Sequence, residues 1–123
     1  MSSKILIVED SATIRQQVAW ALTQAGYEVV EAVDGEDALE RLAATPDIAM
    51  VFCDVTMPRM NGIELLSHLA EKQIIPRLPI VMLTTEGHPE LLQRAKALGA
   101  RAWMVKPVGE DLIVATVRKL TAA

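Results

Sequence analysis

Glu9, Asp10, Asp54, Thr84 and Lys106 have side chains suited to phosphate and metal chemistry, and they stand at the ends of short apolar runs. Lys4-Ile5-Leu6-Ile7-Val8 leads into Glu9-Asp10, and Ile48-Ala49-Met50-Val51-Phe52-Cys53 leads into Asp54. Pro79-Ile80-Val81-Met82-Leu83 leads into Thr84, and Ala102-Trp103-Met104-Val105 leads into Lys106-Pro107. If these runs are parallel strands of one sheet, their carboxyl ends share an edge. Open α/β sheets bind ligands just outside that edge.

Three carboxylates within a few ångströms repel one another, so the site requires a cation. Mg2+ suits hard oxygen ligands and phosphate substrates, and it keeps water in part of its shell. Thr56, two residues past Asp54, can add its backbone carbonyl. Lys106 supplies a mobile point charge for a phosphoryl group or for the Asp54 carboxylate. Thr84 supplies one hydroxyl donor. Mg2+, Lys106 and Thr84 together would neutralise the three equatorial oxygens of a phosphoryl group in transfer. Asp54, at the tip of the central run, is the expected nucleophile. Taken singly, each residue has a plainer explanation. A carboxylate after a strand is more often a cap or a solvated loop residue. A threonine there reflects strand propensity, and a lysine near the last helix is usually a surface charge. Their coincidence on one edge is what points to a site.

The elements that must position these residues can be read from apolar spacing. Runs buried on both faces suggest strands of a parallel sheet, and longer stretches repeat near 3.6 residues. Ser11 caps a first helix with Ile14, Val18, Ala21, Leu22 and Ala25 on one stripe, and Gly26 ends it. A second strand spans Glu28 to Ala32, and Asp34-Gly35 reads as a turn. Ala38, Leu39 and Leu42 give a short helix stopped by Pro46. The third strand runs from Ile48 to Asp54, followed by a loop over Pro58 to Gly62. Ile63, Leu66, Leu69 and Ala70 mark the third helix, closed by Pro76 and Pro79, and Ile80 to Thr84 is the fourth strand. Pro89 opens a fourth helix with Leu91, Leu92, Ala95 and Leu98, and Gly99 ends it. Arg101 to Val105 is the fifth strand, and Leu112, Ile113, Val117 and Leu120 lie on the fifth helix. Five strand–helix units predict an α/β domain with helices on both faces of a parallel sheet. Right-handed crossovers leave few topologies.

The 123 residues are enough for one domain with its own core, and 51% apolar content argues against disorder. The expectation is one domain over residues 1–123 with no output or DNA-binding domain attached. The longest apolar stretch, Ile48 to Cys53, is far short of the ~20 residues that span a bilayer. Met1-Ser2-Ser3 leaves no room for a signal peptide, so a cytoplasmic protein without a membrane partner is expected. A net charge of −4 with no basic stripe argues against a nucleic-acid surface. Cys53 lies inside an apolar run and reads as a small buried hydrophobe.

Over its full length the chain resembles the receiver domain of two-component response regulators. The motifs that carry the resemblance are Ile7-Val8-Glu9-Asp10-Ser11, Asp54-Val55-Thr56-Met57-Pro58-Arg59-Met60-Asn61-Gly62, Leu83-Thr84-Thr85-Glu86 and Val105-Lys106-Pro107. The resemblance implies a flavodoxin-like five-stranded sheet in the order 2-1-3-4-5. It implies that a histidine kinase phosphorylates Asp54, that Glu9 and Asp10 hold Mg2+, and that Thr84 and Lys106 read the phosphoryl group. It also implies a cis Lys106-Pro107 bond and a switch in which Thr84 moves inward and Trp103 rotates after it. Trp103 is bulkier than the Tyr or Phe common at that position. Thr56 and Glu86 occupy the positions that tune hydrolysis, and CheY often has Asn where Thr56 stands. The expected role is a phospho-acceptor without turnover on a foreign substrate, hence not an enzyme. Free-standing receivers of this kind resemble the CheY-like chemotaxis messengers, which pairs the chain with a CheA-like histidine kinase or a phosphotransfer domain. Its target would then be a flagellar motor switch protein. A phosphate sink or phosphorelay intermediate is the alternative.

Trp20 falls off the stripe of the first helix and is a candidate docking residue or a partly covered surface tryptophan. Val114 is off-stripe on the fifth helix and is a candidate for the output face. His68 and His88 have no metal-ligand spacing and read as solvated. Two rivals fit less well. A haloacid-dehalogenase-type phosphatase wants a second Asp two residues after the nucleophile, where this chain has Thr56. A flavin carrier needs a hydroxyl- and glycine-rich loop after the first strand, and Glu9-Asp10-Ser11-Ala12 would repel a cofactor phosphate.

Overall fold

The computed structural model describes residues 3–55, 60–72, 74, 78–84, 89–106 and 108–121. Five strands alternate with five helices. They are β1 (Lys4–Val8), α1 (Ala12–Gln24), β2 (Glu28–Ala32), α2 (Gly35–Ala44), β3 (Ile48–Asp54), α3 (Gly62–Glu71), β4 (Ile80–Thr84), α4 (Pro89–Leu98), β5 (Ala102–Val105) and α5 (Glu110–Thr121). The strands pair in parallel in the order β2-β1-β3-β4-β5, as the resemblance implied.

Pleating divides the side chains of the sheet between two cores. Leu6, Val8, Val51, Cys53, Ile80 and Met82 face α2, α3 and α4, together with Leu66, Leu69 and Ala95. Ile5, Ile7, Met50, Phe52, Val81, Leu83 and Met104 face α1 and α5, meeting Val18, Leu22, Ile113 and Val117. Burial on both faces is why the strands read as unbroken apolar runs. The helices are not held equally. α3 buries Ile63, Leu65, Leu66 and Leu69, whereas α4 buries only Ala95, with Leu91 and Leu98 half covered.

The helix starts are set by side chains that accept from otherwise unpaired N–H groups. Ser11 accepts from the Ile14 N–H at 3.3 Å. Asp34 is a cap rather than part of a turn: it accepts from the Asp37 N–H at 2.9 Å, and Gly35 is already the first helical residue. The α3 start also differs from the expected loop. Asn61 and Glu64 form a reciprocal capping box, so Gly62 belongs to the helix. Gly26, at φ +94°, and Gly99, at φ +108°, stand where a left-handed residue turns the chain out of a helix.

The expectations for the fifth strand and for Val114 need correction. The fifth strand begins at Ala102, one residue later than expected. Leu112 is exposed, because it lies about 100° around the helix from Ile113, whose face carries Val117 and Leu120. Val114 lines a groove with Ala21, Gln24 and Ala25 of α1, which places it on the side of α5 that meets α1. Pro58 and Pro76 lie outside the described residues.

Candidate functional site

The register brings the polar residues together. Val8 of β1 is level with Cys53 of β3, Asp54 is level with Leu83, and Thr84 is level with Val105. Glu9, Asp54 and Lys106 therefore continue the alternation that sends Ile7, Phe52 and Met104 toward α1 and α5. Thr84 continues the opposite set, after Ile80 and Met82. Trp103, level with Met82, has the same parity as Thr84 and is 41% exposed beside it on the edge strand.

Glu9, Asp54 and Thr84 are buried, and Asp10 is exposed. Carboxylate oxygens of Glu9, Asp10 and Asp54 all lie within 4.8 Å of one another. Lys106 Nζ bridges two of them, at 2.7 Å from Glu9 Oε1 and 3.1 Å from Asp54 Oδ1. The Lys106 N–H donates to the Thr84 carbonyl at 2.8 Å, which ties the ends of β4 and β5 together. Glu9 Oε2 accepts from the Ser11 N–H at 3.0 Å. The approach of Lys106 to Glu9 Oε1 is a charge contact rather than an aligned hydrogen bond. That buried oxygen has no hydrogen-bond donor among the described residues. Three converging hard oxygens, one of them buried and short of a donor, fit a divalent cation of the Mg2+ kind.

The electrostatics follow from this crowding. Burial pushes the Glu9 carboxyl up to about 6; Lys106 and the Ser11 N–H oppose the shift, and the Asp54 charge adds to it. Burial works to lower the Lys106 pKa, but its contacts with Glu9 and Asp54 outweigh that and hold it above its ordinary value. Lys106 therefore stays cationic at neutral pH. Burial, followed by the nearby carboxylates, pushes the Cys53 thiol up, so it remains protonated and is no rival nucleophile.

A pH dependence follows. A carboxyl whose folded pKa lies above its unfolded value stabilises the fold below about 4.5, and that contribution is lost as pH rises through about 6. In EDTA, Glu9→Gln should therefore gain about 2 kcal/mol on the parent protein between pH 4.5 and pH 7. Thermal midpoints of both proteins across that range check this. A constant difference between them would refute it.

The structure assembles the sequence-predicted residues Glu9, Asp10, Asp54, Thr84 and Lys106 on one edge. Thr56, Glu86 and the Lys106-Pro107 bond lie outside the described residues, as does His88. Trp20 is 56% exposed on α1, and His68 is exposed on α3. Sequence reasoning missed Arg15, whose Nη1 donates to the Glu9 backbone carbonyl at 2.8 Å. It also missed that Lys106 pairs with Glu9 as well as Asp54. No helix among the described residues is long and apolar enough to cross a membrane.

The family model for the response regulator receiver domain matches residues 5–118. Among curated proteins, the chain is 42% identical to the transcriptional regulatory protein PdtaR of Mycobacterium tuberculosis, over 97% of the chain and 60% of that protein. The chain thus spans about three fifths of the length of that relative. It is 37% identical to the chemotaxis protein CheY1 of Helicobacter pylori, over 85% of each. Among solved structures, it superposes on the chemotaxis protein CheY4 of Vibrio cholerae with a TM-score of 0.89 and 38% identity, covering 98% of this chain and 99% of that one. The receiver domain of NtrX from Brucella abortus gives a TM-score of 0.86 at 30% identity, over 95% and 97%.

Proposed function

The chain belongs to the response regulator receiver family, and from that premise we propose that Asp54 accepts a phosphoryl group that switches its affinity for a partner. Receiver domains are phospho-acceptor signalling modules rather than conventional enzymes, and they work with histidine kinases. The observation that carries the reading is the Lys106 ammonium lying between Glu9 and Asp54 at the sheet edge, with Asp10 alongside.

Glu9, Asp10, Asp54 and the Thr56 carbonyl would hold Mg2+. Bound there, the ion supplies charge neutralisation for the incoming phosphoryl oxygens. The Asp54 carboxylate attacks phosphorus, one P–O bond forms, and the P–N bond to the kinase's phosphohistidine breaks. Lys106 shifts from the carboxylates to a phosphoryl oxygen, and the Thr84 hydroxyl turns toward another. Thr84 and Trp103 share one face of adjacent strands, so movement of the first changes the space open to the second. Phosphorylation then reshapes the α4–β5–α5 face, where Trp103, Val105 and Leu112 are exposed. Thr56 and Glu86 would tune hydrolysis.

Likeness to chemotaxis proteins favours a CheA-like kinase and a motor-switch target in the cytoplasm. Likeness to a transcriptional regulatory protein supports a second reading, in which the phosphoryl group feeds another response or a phosphorelay. Intact mass after incubation with acetyl phosphate tests the chemistry: one phosphoryl group should be gained with Mg2+ and none with EDTA. Equal masses under both conditions would overturn the proposal.

Lys106→Ala separates chemistry from output. It leaves the Asp54 nucleophile in place but removes the cation that links the phosphoryl group to β5. The variant should still gain the Mg2+-dependent mass, while tryptophan fluorescence no longer changes on phosphorylation. A normal fluorescence response in Lys106→Ala would show that the lysine does not carry the signal.

A further inference from the structure

Arg15 stands in the first turns of α1 and reaches back over the acidic loop. Its Nη1 donates to the Glu9 backbone carbonyl at 2.8 Å, and its Nε donates to Glu31 Oε1 on β2 at 2.9 Å. The Arg15 side chain is only 17% exposed, so it packs against the fold rather than extending into solvent. The Glu9 N–H donates to the Ala32 carbonyl of β2 at 3.0 Å. Glu9 is thus held to β2 at both ends, directly through its N–H and through Arg15 at its carbonyl.

That carbonyl is half of the planar peptide whose other half is the Asp10 N–H. Fixing its direction fixes the plane from which Asp10 departs. Asp10 is the exposed member of the carboxylate trio, whereas Glu9 and Asp54 are held inside the protein. Burial does not place its side chain, so the peptide before it must.

We infer that Arg15 is a positioning residue for the cation site, its guanidinium fork orienting the Glu9–Asp10 peptide so that Asp10 completes the carboxylate trio. This rests on reading the trio as a Mg2+ site. The role has a sign that separates it from simple electrostatics. A guanidinium close to a cation site repels the cation, so a residue acting only by its charge would bind Mg2+ more tightly once neutralised. A positioning residue does the opposite. A planar fork can hold a carbonyl and a carboxylate together, whereas a lysine ammonium offers no such fixed geometry.

The test is a Mg2+ titration of the unphosphorylated protein, followed by backbone amide chemical shifts, for the parent, Arg15→Gln and Arg15→Lys. Partners that orient metal ligands commonly influence affinity about tenfold or more. Both variants should bind Mg2+ about tenfold more weakly, with the largest change in shift pattern at Asp10 and Ser11. The same spectra report whether each variant is folded, and Arg15→Lys decides the matter if Arg15→Gln does not fold. Unchanged or tighter binding by Arg15→Gln overturns the inference, as does parent-like binding by Arg15→Lys. Absence of Mg2+ binding by the parent would instead remove the cation-site reading, and the inference with it.

Discussion

Asp54→Asn is expected to abolish phosphoryl uptake. The amide nearly matches the carboxylate in shape but lacks the anionic oxygen that attacks phosphorus. Among the described residues no neighbour is placed to replace it. Glu9 is buried and contacted by Lys106 and the Ser11 N–H, and Asp10 lies at the exposed rim. The Cys53 thiol is protonated and, one residue along the strand, faces the opposite core. Intact mass after acetyl phosphate and Mg2+ should show one added group in the parent and none in the variant. A Mg2+-dependent gain in Asp54→Asn, mapped to another carboxylate, would remove Asp54 from its central role. Circular dichroism of the variant should match the parent, because the substitution removes a charge from a crowded anionic pocket without changing its volume.

Gly62→Ala should have the largest effect on stability. A Cβ at Gly62 would fall on the Asp54 backbone carbonyl, with Met82 Cε at 2.8 Å and Val55 Cα at 3.1 Å. The methionine tip can move aside. The Asp54–Val55 backbone cannot, since the Val55 N–H donates to the Leu83 carbonyl at 2.9 Å and Gly62 N–H to the Val55 carbonyl at 3.0 Å. Overpacking of this kind typically costs ~1–3 kcal/mol, and contact with backbone belongs at the upper end. Alanine's better helix propensity offsets ~1 kcal/mol. A net loss of about 2 kcal/mol should lower the thermal midpoint by roughly 5–10 °C. The substitution also moves the carbonyl of the nucleophile's own residue, and small misplacements of reacting groups can slow a reaction ~100-fold. Phosphorylation by acetyl phosphate should therefore slow at least tenfold at a temperature where the variant is folded. A variant with the parent's midpoint and rate would show that helix and strand can separate here without cost.

The strands were legible because burial on both faces gives unbroken apolar runs, and the polar residue ending each run marks the same edge. The order of the strands came with the resemblance, since alternation and crossover handedness leave several orders open. Asp34-Gly35 misled because the same pair suits a turn and a helix start. What decides is the Asp37 N–H three residues on, which Asp34 accepts. Leu112 and Ile113 both lie on the fifth helix as read, but adjacent residues cannot share a helix face, and spacing with Val117 and Leu120 selects Ile113 for burial. Arg15 had no signature. One of its partners is a backbone carbonyl and the other lies 16 residues away, so neither leaves a local pattern. The pairing of Lys106 with Glu9 was hidden for a similar reason: β1 and β5 are not neighbours, and only the register of the whole sheet, in which β5 runs two residues past the level where β1 ends, brings Lys106 to Glu9.

The shallow anchoring of α4 bears on how much a single phosphoryl group can accomplish. Moving a two-state population from 1:99 to 99:1 takes ~5.5 kcal/mol of differential binding. A helix seated by five buried residues, as α3 is, would consume much of that in leaving its place. α4 buries Ala95 and only half covers Leu91 and Leu98. Its amides should exchange with solvent through local opening well before those of α3, and on the same account it is the helix that a modest input can displace. The molecule thus divides into a stiff frame around β1, β3 and α3 and a compliant edge at α4 and β5, with Thr84 at the boundary between them.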